Sequence, residues 1–145
     1  MVQGSRGIDH GFLPHHYLYQ RIETEDIAGD RLLPARIRVL DQSVNWSKFC
    51  RPWDVTFGYR KQGIARTAVR DLPPPLPKVL PNKGAKYHDF NPAHDPLPNN
   101  YSHCEIRVLK DEVRVTNAKQ IGDLAKKEYR TMLSDKYIII ARPHA

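Results

Sequence analysis

The chain has 145 residues, an apolar fraction of 40% and a net charge of +7, which suits a single domain with one hydrophobic core. It has no apolar run near the roughly 18 residues of a membrane span, and its first residues lack the apolar segment of a secretory signal. We therefore expect no membrane contact. The two cysteines do not form a C-x-x-C pair, so we expect free thiols and a cytoplasmic location, with a single disulfide as the alternative.

The first half of the chain is expected to contain three strands. Residues 1–15 show no periodicity and are expected to form a flexible arm. Apolar and polar residues alternate in 16–23, 35–40 and 63–72, which is typical of half-buried strands. Between the last two segments, polar residues and Pro52 favour a loop with one or two helical turns.

A proline-rich segment follows these strands. Five prolines lie between positions 73 and 81, which predicts an extended, polyproline-like chain. We expect irregular structure throughout residues 73–100. An irregular segment of this length is unusual inside a compact domain. Such segments usually have a function or become ordered on binding a partner.

The last third of the chain predicts a β-hairpin, a helix and a strand. Residues 103–109 and 112–116 alternate on either side of a short turn. Asn117 can cap the helix that follows, because apolar residues repeat at helical spacing in 118–134. The apolar run 136–141 is expected to be a buried strand.

Together these elements predict an α+β fold. Residues 16–145 are expected to form a small single domain, mainly antiparallel sheet, with one C-terminal amphipathic helix and a long proline-rich loop. The sequence contains no internal repeat.

The positive charge is concentrated in one part of the chain. Residues 31–70 contain nine lysines and arginines and two aspartates, a difference of +7 that equals the charge of the whole chain. Aromatic residues are interleaved with these cations. Because cations neutralise phosphates and aromatic faces stack on bases, the segment is a candidate surface for single-stranded nucleic acid. The candidate contact residues are Arg36, Arg38, Trp46, Lys48, Arg51, Arg60, Lys61 and Arg66.

The same segment has a simpler interpretation, in which the aromatic residues belong to the core and the cations form a solvated surface. Trp46 and Trp53 are expected to be partly buried in either case. The chain has no RNP, KH, zinc-finger or helix-turn-helix pattern, and no P-loop or G-x-G-x-x-G motif. The expected partner is therefore a nucleic acid or an acidic protein.

Histidines and carboxylates are concentrated between residues 88 and 103. His88, His94, Asp95 and His103 are candidates for acid–base catalysis, because imidazole titrates near neutral pH. Imidazole and carboxylate also bind zinc or iron, but the spacing matches no specific metal motif, and we expect no metal or other cofactor. The alternative is a polar surface loop in which the aspartates stabilise local turns.

The triplet His103-Cys104-Glu105 raises the question of a zinc deaminase. Those enzymes also need a downstream Pro-Cys-x-x-Cys for their remaining ligands, and this chain has none. In a strand, successive side chains point to opposite faces. Cys104 is therefore expected to face the core, opposite Val113 and Val115, and His103 and Glu105 to face solvent.

Three pieces of the sequence resemble a pattern in small uncharacterised bacterial proteins: Ser-Val-Asn at 43–45, Gly-Ile-Ala at 63–65, and the segment 95–106. Those proteins pair a Ser-Val-Asn segment with a later Asp-Pro…Asn-x-x-His motif, and the resemblance covers about half of the chain. It implies no established activity. It does imply that the following residues act as a group: Asn45, Asp95, Asn100 and His103.

Three hypotheses of function follow. The first is a bacterial intracellular accessory protein that contacts a nucleic acid or an acidic partner through residues 31–70. The second is a small enzyme that acts on a nucleotide or a nucleic acid through the histidines and aspartate of the 88–105 loop. The third is a structural subunit of a larger complex, in which the prolines wrap a neighbour.

Overall fold

The computed structural model describes residues 7–56 and 61–144. Within these ranges the chain forms nine strands and one α-helix, α1, which spans Asp123–Lys136. The strands are Tyr17–Ile22 (β1), Ile27–Ala28 (β2), Arg31–Leu32 (β3), Gln42–Trp46 (β4), Gly63–Ala68 (β5), Asp89–His94 (β6), His103–Lys110 (β7), Val113–Arg114 (β8) and Ile138–Ala141 (β9). The predicted α+β fold, with a mainly antiparallel sheet and a C-terminal helix, is confirmed.

One sheet dominates the domain. Its strand order is β6-β7-β4-β1-β5-β9, with β8 paired to the far end of β7 and every neighbouring pair antiparallel. The apolar face of α1 adds Ala125, Tyr129 and Leu133 to the core. The Tyr129 ring stacks on Phe90 of β6, with ring centroids 4.5 Å apart. The core therefore lies between the helix and one face of the sheet.

The predicted hairpin forms, but its second strand, predicted at 112–116, is only the two-residue β8. His103 and Glu105, which were expected to face solvent, have side chains only 12% and 18% exposed. Cys104 has no exposed surface, and burial raises the pKa of its thiol. Val115 is also buried, but Val113 is 68% exposed. Val113 pairs with Lys110 at the tip of the short strand β8, so it projects past the edge of the core, and its predicted burial is wrong.

Two predictions in the first half of the chain are corrected. Residues 35–40 are not a strand: Pro34–Arg36 form a 3₁₀ turn and the residues up to Leu40 are irregular. The alternation there reflects loop side chains that are buried, namely Ile37 and Val39. The loop predicted after it instead contains β4, which pairs with both β1 and β7.

The segment 73–100 is less irregular than predicted, because it contains the edge strand β6. Pro92 lies inside this strand opposite Ile106. An edge strand tolerates proline, since only one side of its backbone must donate hydrogen bonds to a neighbour. The prolines before β6 lie in chain without regular secondary structure, as predicted.

The C-terminal elements also differ in detail from the prediction. Asn117 caps a 3₁₀ turn at Ala118–Gln120, where its side chain accepts the Lys119 N–H at 3.0 Å, and α1 starts only at Asp123. Strand β9 is an edge strand rather than a buried one, and Ile138 is 55% exposed. No helix in the described part of the chain is long and apolar enough to cross a membrane.

Residues of the N-terminal arm from position 7 onwards contact the domain. The Phe12 ring stacks on Trp46 with centroids 3.7 Å apart. The Asp9 N–H donates to His94 Nδ1 at 2.9 Å, and the Asp9 carboxylate forms an ion pair with Lys48 at 2.6 Å. These contacts place Phe12 over the tryptophan at the end of β4.

Candidate functional site: a cleft between β1 and β4

The sheet opens between its two central strands. Leu18 pairs with Trp46 and Tyr19 with Asn45, and the ladder between β1 and β4 then stops, although β1 stays paired with β5 as far as Ile22. A cleft of about 730 Å³ lies at this opening, within the size range of small-ligand sites. It is lined by Gln20, Arg21, Arg36, Arg38, Gln42, Ser43, Asn45, Leu97, Pro98, Asn99, Asn100 and His103.

The lining of the cleft is positively charged. Arg21, Arg36 and Arg38 line it, and none of the described lining residues is acidic. Arg36 forms an ion pair with Asp26 at 2.9 Å, outside the lining. The Arg38 side chain is exposed and has no ion-pair partner within residues 7–56 and 61–144. Such a concave, basic and largely amide-lined surface favours an anionic ligand.

A serine and a histidine meet on the wall of the cleft. Ser43 Oγ lies 2.6 Å from His103 Nε2, and His103 Nδ1 lies 2.8 Å from the backbone oxygen of Asp95. Because a carbonyl oxygen only accepts, Nδ1 carries the proton in the neutral ring and Nε2 accepts from the Ser43 hydroxyl. A hydroxyl bonded to the free nitrogen of an oriented imidazole is the usual arrangement of an activated nucleophile.

A network of amides and a hydroxyl holds this wall in place. Asn100 Nδ2 donates to Asn45 Oδ1 at 2.7 Å, and the Ser102 hydroxyl lies 3.1 Å from the same oxygen and 2.7 Å from Asn100 Oδ1. Asn45 and Ser102 are buried. The network fastens the loop between β6 and β7 to β4, so that Asn45, Asn100 and His103 all line one cleft, with Asp95 behind the histidine.

His94 does not reach the cleft. It is paired with Cys104 across β6 and β7, so it faces the opposite side of the sheet from His103. Its Nε2 lies 2.6 Å from the Tyr101 carbonyl oxygen and its Nδ1 accepts the Asp9 N–H. Both ring nitrogens are therefore used in fastening the arm and the loop to the sheet.

His88 is also remote from the cleft. It lies beyond the other end of β6, where its backbone bridges to Leu76, and it is 5% exposed. Burial, followed by the nearby charge of Lys110, lowers the pKa of His88. The three histidines thus do not converge. Within the described ranges no three His, Cys, Asp or Glu side chains are grouped so as to hold a metal ion.

The residues predicted to contact nucleic acid do not form one surface. Trp46 has no exposed area, and Phe12 covers its ring, so it is not available to stack on a base. Lys48 is engaged by Asp9. The predicted part of Trp46 and Lys48 in a stacking surface does not fit this packing, whereas the alternative, an aromatic core, fits Trp46. Trp53, which was expected to be partly buried, is 61% exposed.

The other predicted cations are divided between several places. Arg51 forms an exposed ion pair with Asp54 at 3.4 Å, and the Arg66 guanidinium lies over the Tyr17 ring, 4.4 Å from its centroid. Lys61 is exposed, and Arg60 lies outside the described residues. Of the predicted set, those that line the cleft are Arg36 and Arg38.

Sequence reasoning missed part of the site. Ser43, Arg21, Gln20 and Gln42 were not predicted as functional residues, although Ser43 belongs to the Ser-Val-Asn segment. Comparisons of the chain with protein-family models, with curated proteins and with solved structures find no match. Function is therefore inferred from the chemistry of the cleft.

Proposed function

We propose that the protein binds a phosphate-bearing ligand of nucleotide size in the cleft between β1 and β4. The observation that carries this proposal is the presence of three arginines in a concave lining whose described residues include no carboxylate. The planar guanidinium group donates two parallel hydrogen bonds and matches phosphate oxygens in geometry and charge. This proposal narrows the broader hypothesis of a nucleic-acid surface over residues 31–70 to one site.

The remaining lining suits the rest of a nucleotide. The side-chain amides of Gln20, Gln42 and Asn45 also line the cleft. Because Gln42 Oε1 accepts the Arg38 N–H and Asn45 Oδ1 accepts from Asn100, the NH₂ groups of Gln42 and Asn45 are what these two amides can donate to a base or a sugar. Leu97, which is 46% exposed, and Pro98 add apolar surface to the lining. The ligand would thus be a mononucleotide or the terminal nucleotide of a single strand, and we propose a cytoplasmic location, where such ligands occur.

Equilibrium binding of a fluorescent mononucleotide and of a short single-stranded oligonucleotide at low salt tests the proposal. The Arg38→Gln variant is the cleanest change, because the side chain is exposed and has no described ion-pair partner. A charge-assisted hydrogen bond contributes roughly 1.5–3 kcal/mol, so we expect about a tenfold to hundredfold loss of affinity. Arg70→Gln is the matched control, since Arg70 is exposed and lies in the same basic segment but outside the cleft.

Two results would contradict the proposal. One is the absence of binding by the wild-type protein to either ligand. The other is an equal effect of Arg38→Gln and Arg70→Gln, because it would show that general positive charge, rather than the cleft, attracts the ligand.

A further inference from the structure

We propose that Ser43 is a catalytic nucleophile, activated by His103, and that the cleft hydrolyses a phosphate ester. The choice of substrate rests on the proposed binding function, but the nucleophilic character of Ser43 does not. It stands on the geometry of the serine and histidine themselves.

Neighbouring strands fix this geometry. β4 and β7 are antiparallel, with Ser43 opposite Glu105 and Asn45 opposite His103. Ser43 and His103 are therefore diagonal neighbours on one face of the sheet, where side chains of this reach meet. A site built on paired strands is held more precisely than one built on a loop, and the Asn45–Asn100 hydrogen bond of 2.7 Å supports the adjoining loop.

A purely structural role explains the contact less well. Ser43 is exposed, so water would satisfy its hydroxyl without the histidine. The strands are already joined by their backbone ladder and by the buried contacts of Asn45 and Ser102. The hydrogen bond from Ser43 is thus dispensable for the fold, and it lies at the wall of a cleft that contains three arginines.

The arginines supply the positive charge that phosphoryl transfer requires. In such reactions negative charge spreads over the oxygens of the transferred group, and catalysis depends on positioning and on cations aimed at those oxygens. Arg21, Arg36 and Arg38 line the same cleft as the Ser43 hydroxyl. A phosphate held by these arginines would lie in the same cleft as the Ser43 hydroxyl.

The proposed reaction has two steps. In the first, Ser43 Oγ forms a bond to phosphorus as the bond from phosphorus to the leaving alcohol breaks. The serine proton passes to His103 Nε2 and then to the alcohol oxygen. In the second, water attacks the phosphoserine and gives its proton to His103. The bond between Ser43 Oγ and phosphorus then breaks, and the serine takes this proton back.

The test uses chromogenic esters with the full chain. The 4-nitrophenyl ester of phosphate presents a monoester, and the 4-nitrophenyl ester of thymidine 5′-monophosphate presents a diester. We expect release of nitrophenolate from one of the two and, under rapid acid quench, a covalent adduct that peptide mass spectrometry places on Ser43. Ser43→Ala should abolish the adduct, and His103→Gln should lower the rate by about 10²–10⁴-fold.

Thr131→Ala serves as the matched control, because it removes an exposed hydroxyl on α1 outside the cleft, and it should leave the rate unchanged. Circular dichroism and nucleotide binding are measured for every variant. Nucleotide binding without hydrolysis of either ester and without an adduct would overturn the nucleophile and leave the proposed binding function standing. An adduct on Ser43 without nucleotide binding would support Ser43 as the nucleophile and contradict the proposed binding function. A Ser43→Ala variant that hydrolyses the esters at the wild-type rate would also overturn the role of Ser43 as the nucleophile.

Discussion

The backbone oxygen of Asp95 lies 2.8 Å from His103 Nδ1, whereas the carboxylate Oδ2 of the same residue lies 3.6 Å away. The carbonyl is thus the hydrogen-bond partner that orients the imidazole. The Asp95 carboxylate also lies 3.8 Å from Arg107 Nη2, so it is shared between the arginine and the imidazole. The pairing of Ser43 with His103 does not depend on a charged third residue.

The Asp95→Asn variant tests this division of roles. It removes the carboxylate charge and keeps the carbonyl, so we expect the rate of ester hydrolysis to fall by less than about tenfold, well below the loss expected for His103→Gln. The measurement is the rate of nitrophenolate release with each purified variant. A loss as large as that of His103→Gln would show instead that the carboxylate orients the ring, as in the serine protease triad.

The stack of Phe12 on Trp46 predicts that the N-terminal arm contributes to stability. Phe12→Ala removes a ring that packs on the core and leaves the buried tryptophan uncovered. Replacing a fully buried phenylalanine by alanine lowers the free energy of unfolding by about 3–5 kcal/mol. Because Phe12 is only partly buried, we expect a loss of about 2 kcal/mol. Urea denaturation followed by tryptophan fluorescence measures it.

The matched control for this change is Leu13→Ala. Leu13 is the neighbouring residue and is 48% exposed, so its truncation should cost less than about 1 kcal/mol. If the two variants were equally stable, the arm would not hold the position over Trp46 that the structure gives it.

Strands were predicted correctly where alternating side-chain burial is accompanied by backbone hydrogen bonds to a neighbouring strand. β1 and β5 alternate in sequence and pair with each other along their whole length. Ile37 and Val39 alternate with arginines in the same way, but these two side chains are buried without belonging to a strand. The Arg38 N–H donates to the Gln42 side chain at 2.7 Å rather than to a neighbouring strand, and nothing in the local sequence distinguishes the two cases.

The candidate site was predictable only in part, because its polar residues are satisfied by distant partners. His103 and Asp95 were identified by their chemistry. β4 was missed because polar residues such as Gln42 and Asn45 are typical of loops. They can be buried in a strand only where other groups of the protein satisfy their hydrogen bonds. The compensation for Asn45 comes from Asn100 and Ser102, more than fifty residues further along the chain. Periodicity and composition do not show which polar groups will meet, and only the resemblance had grouped Asn45 with Asn100.

His88 predicts a loss of stability in mild acid. Burial lowers its pKa below the ordinary value of 6.5, so the folded state binds fewer protons than the unfolded state as the pH falls through that value. Folding stability therefore decreases with falling pH, until the folded histidine is itself protonated. His88→Leu should weaken this dependence, because the substituted side chain does not titrate in either state.

Unfolding free energies measured at about pH 8 and about pH 5 for both proteins provide the comparison. His10→Leu is the control, since His10 is exposed and its loss should leave the pH dependence intact. Some dependence should survive in His88→Leu, because burial also lowers the pKa of His16. An unchanged dependence in His88→Leu would mean that His88 is protonated equally in both states.

The salt dependence of oligonucleotide binding counts the cations of the protein that contact the ligand. Each phosphate contact to a single strand adds about −0.7 to the slope of log K against log salt concentration, so three arginines predict a slope of roughly −2 for a short oligonucleotide. Arg38→Gln should reduce the magnitude of the slope by about 0.7. Charge reversal at Lys126 and Lys127, which lie on α1 outside the cleft, should leave the slope unchanged and lower the affinity only slightly. Equal slopes for the wild type and Arg38→Gln, or a larger change in the Lys126 and Lys127 variants, would place the phosphate contacts elsewhere on the protein.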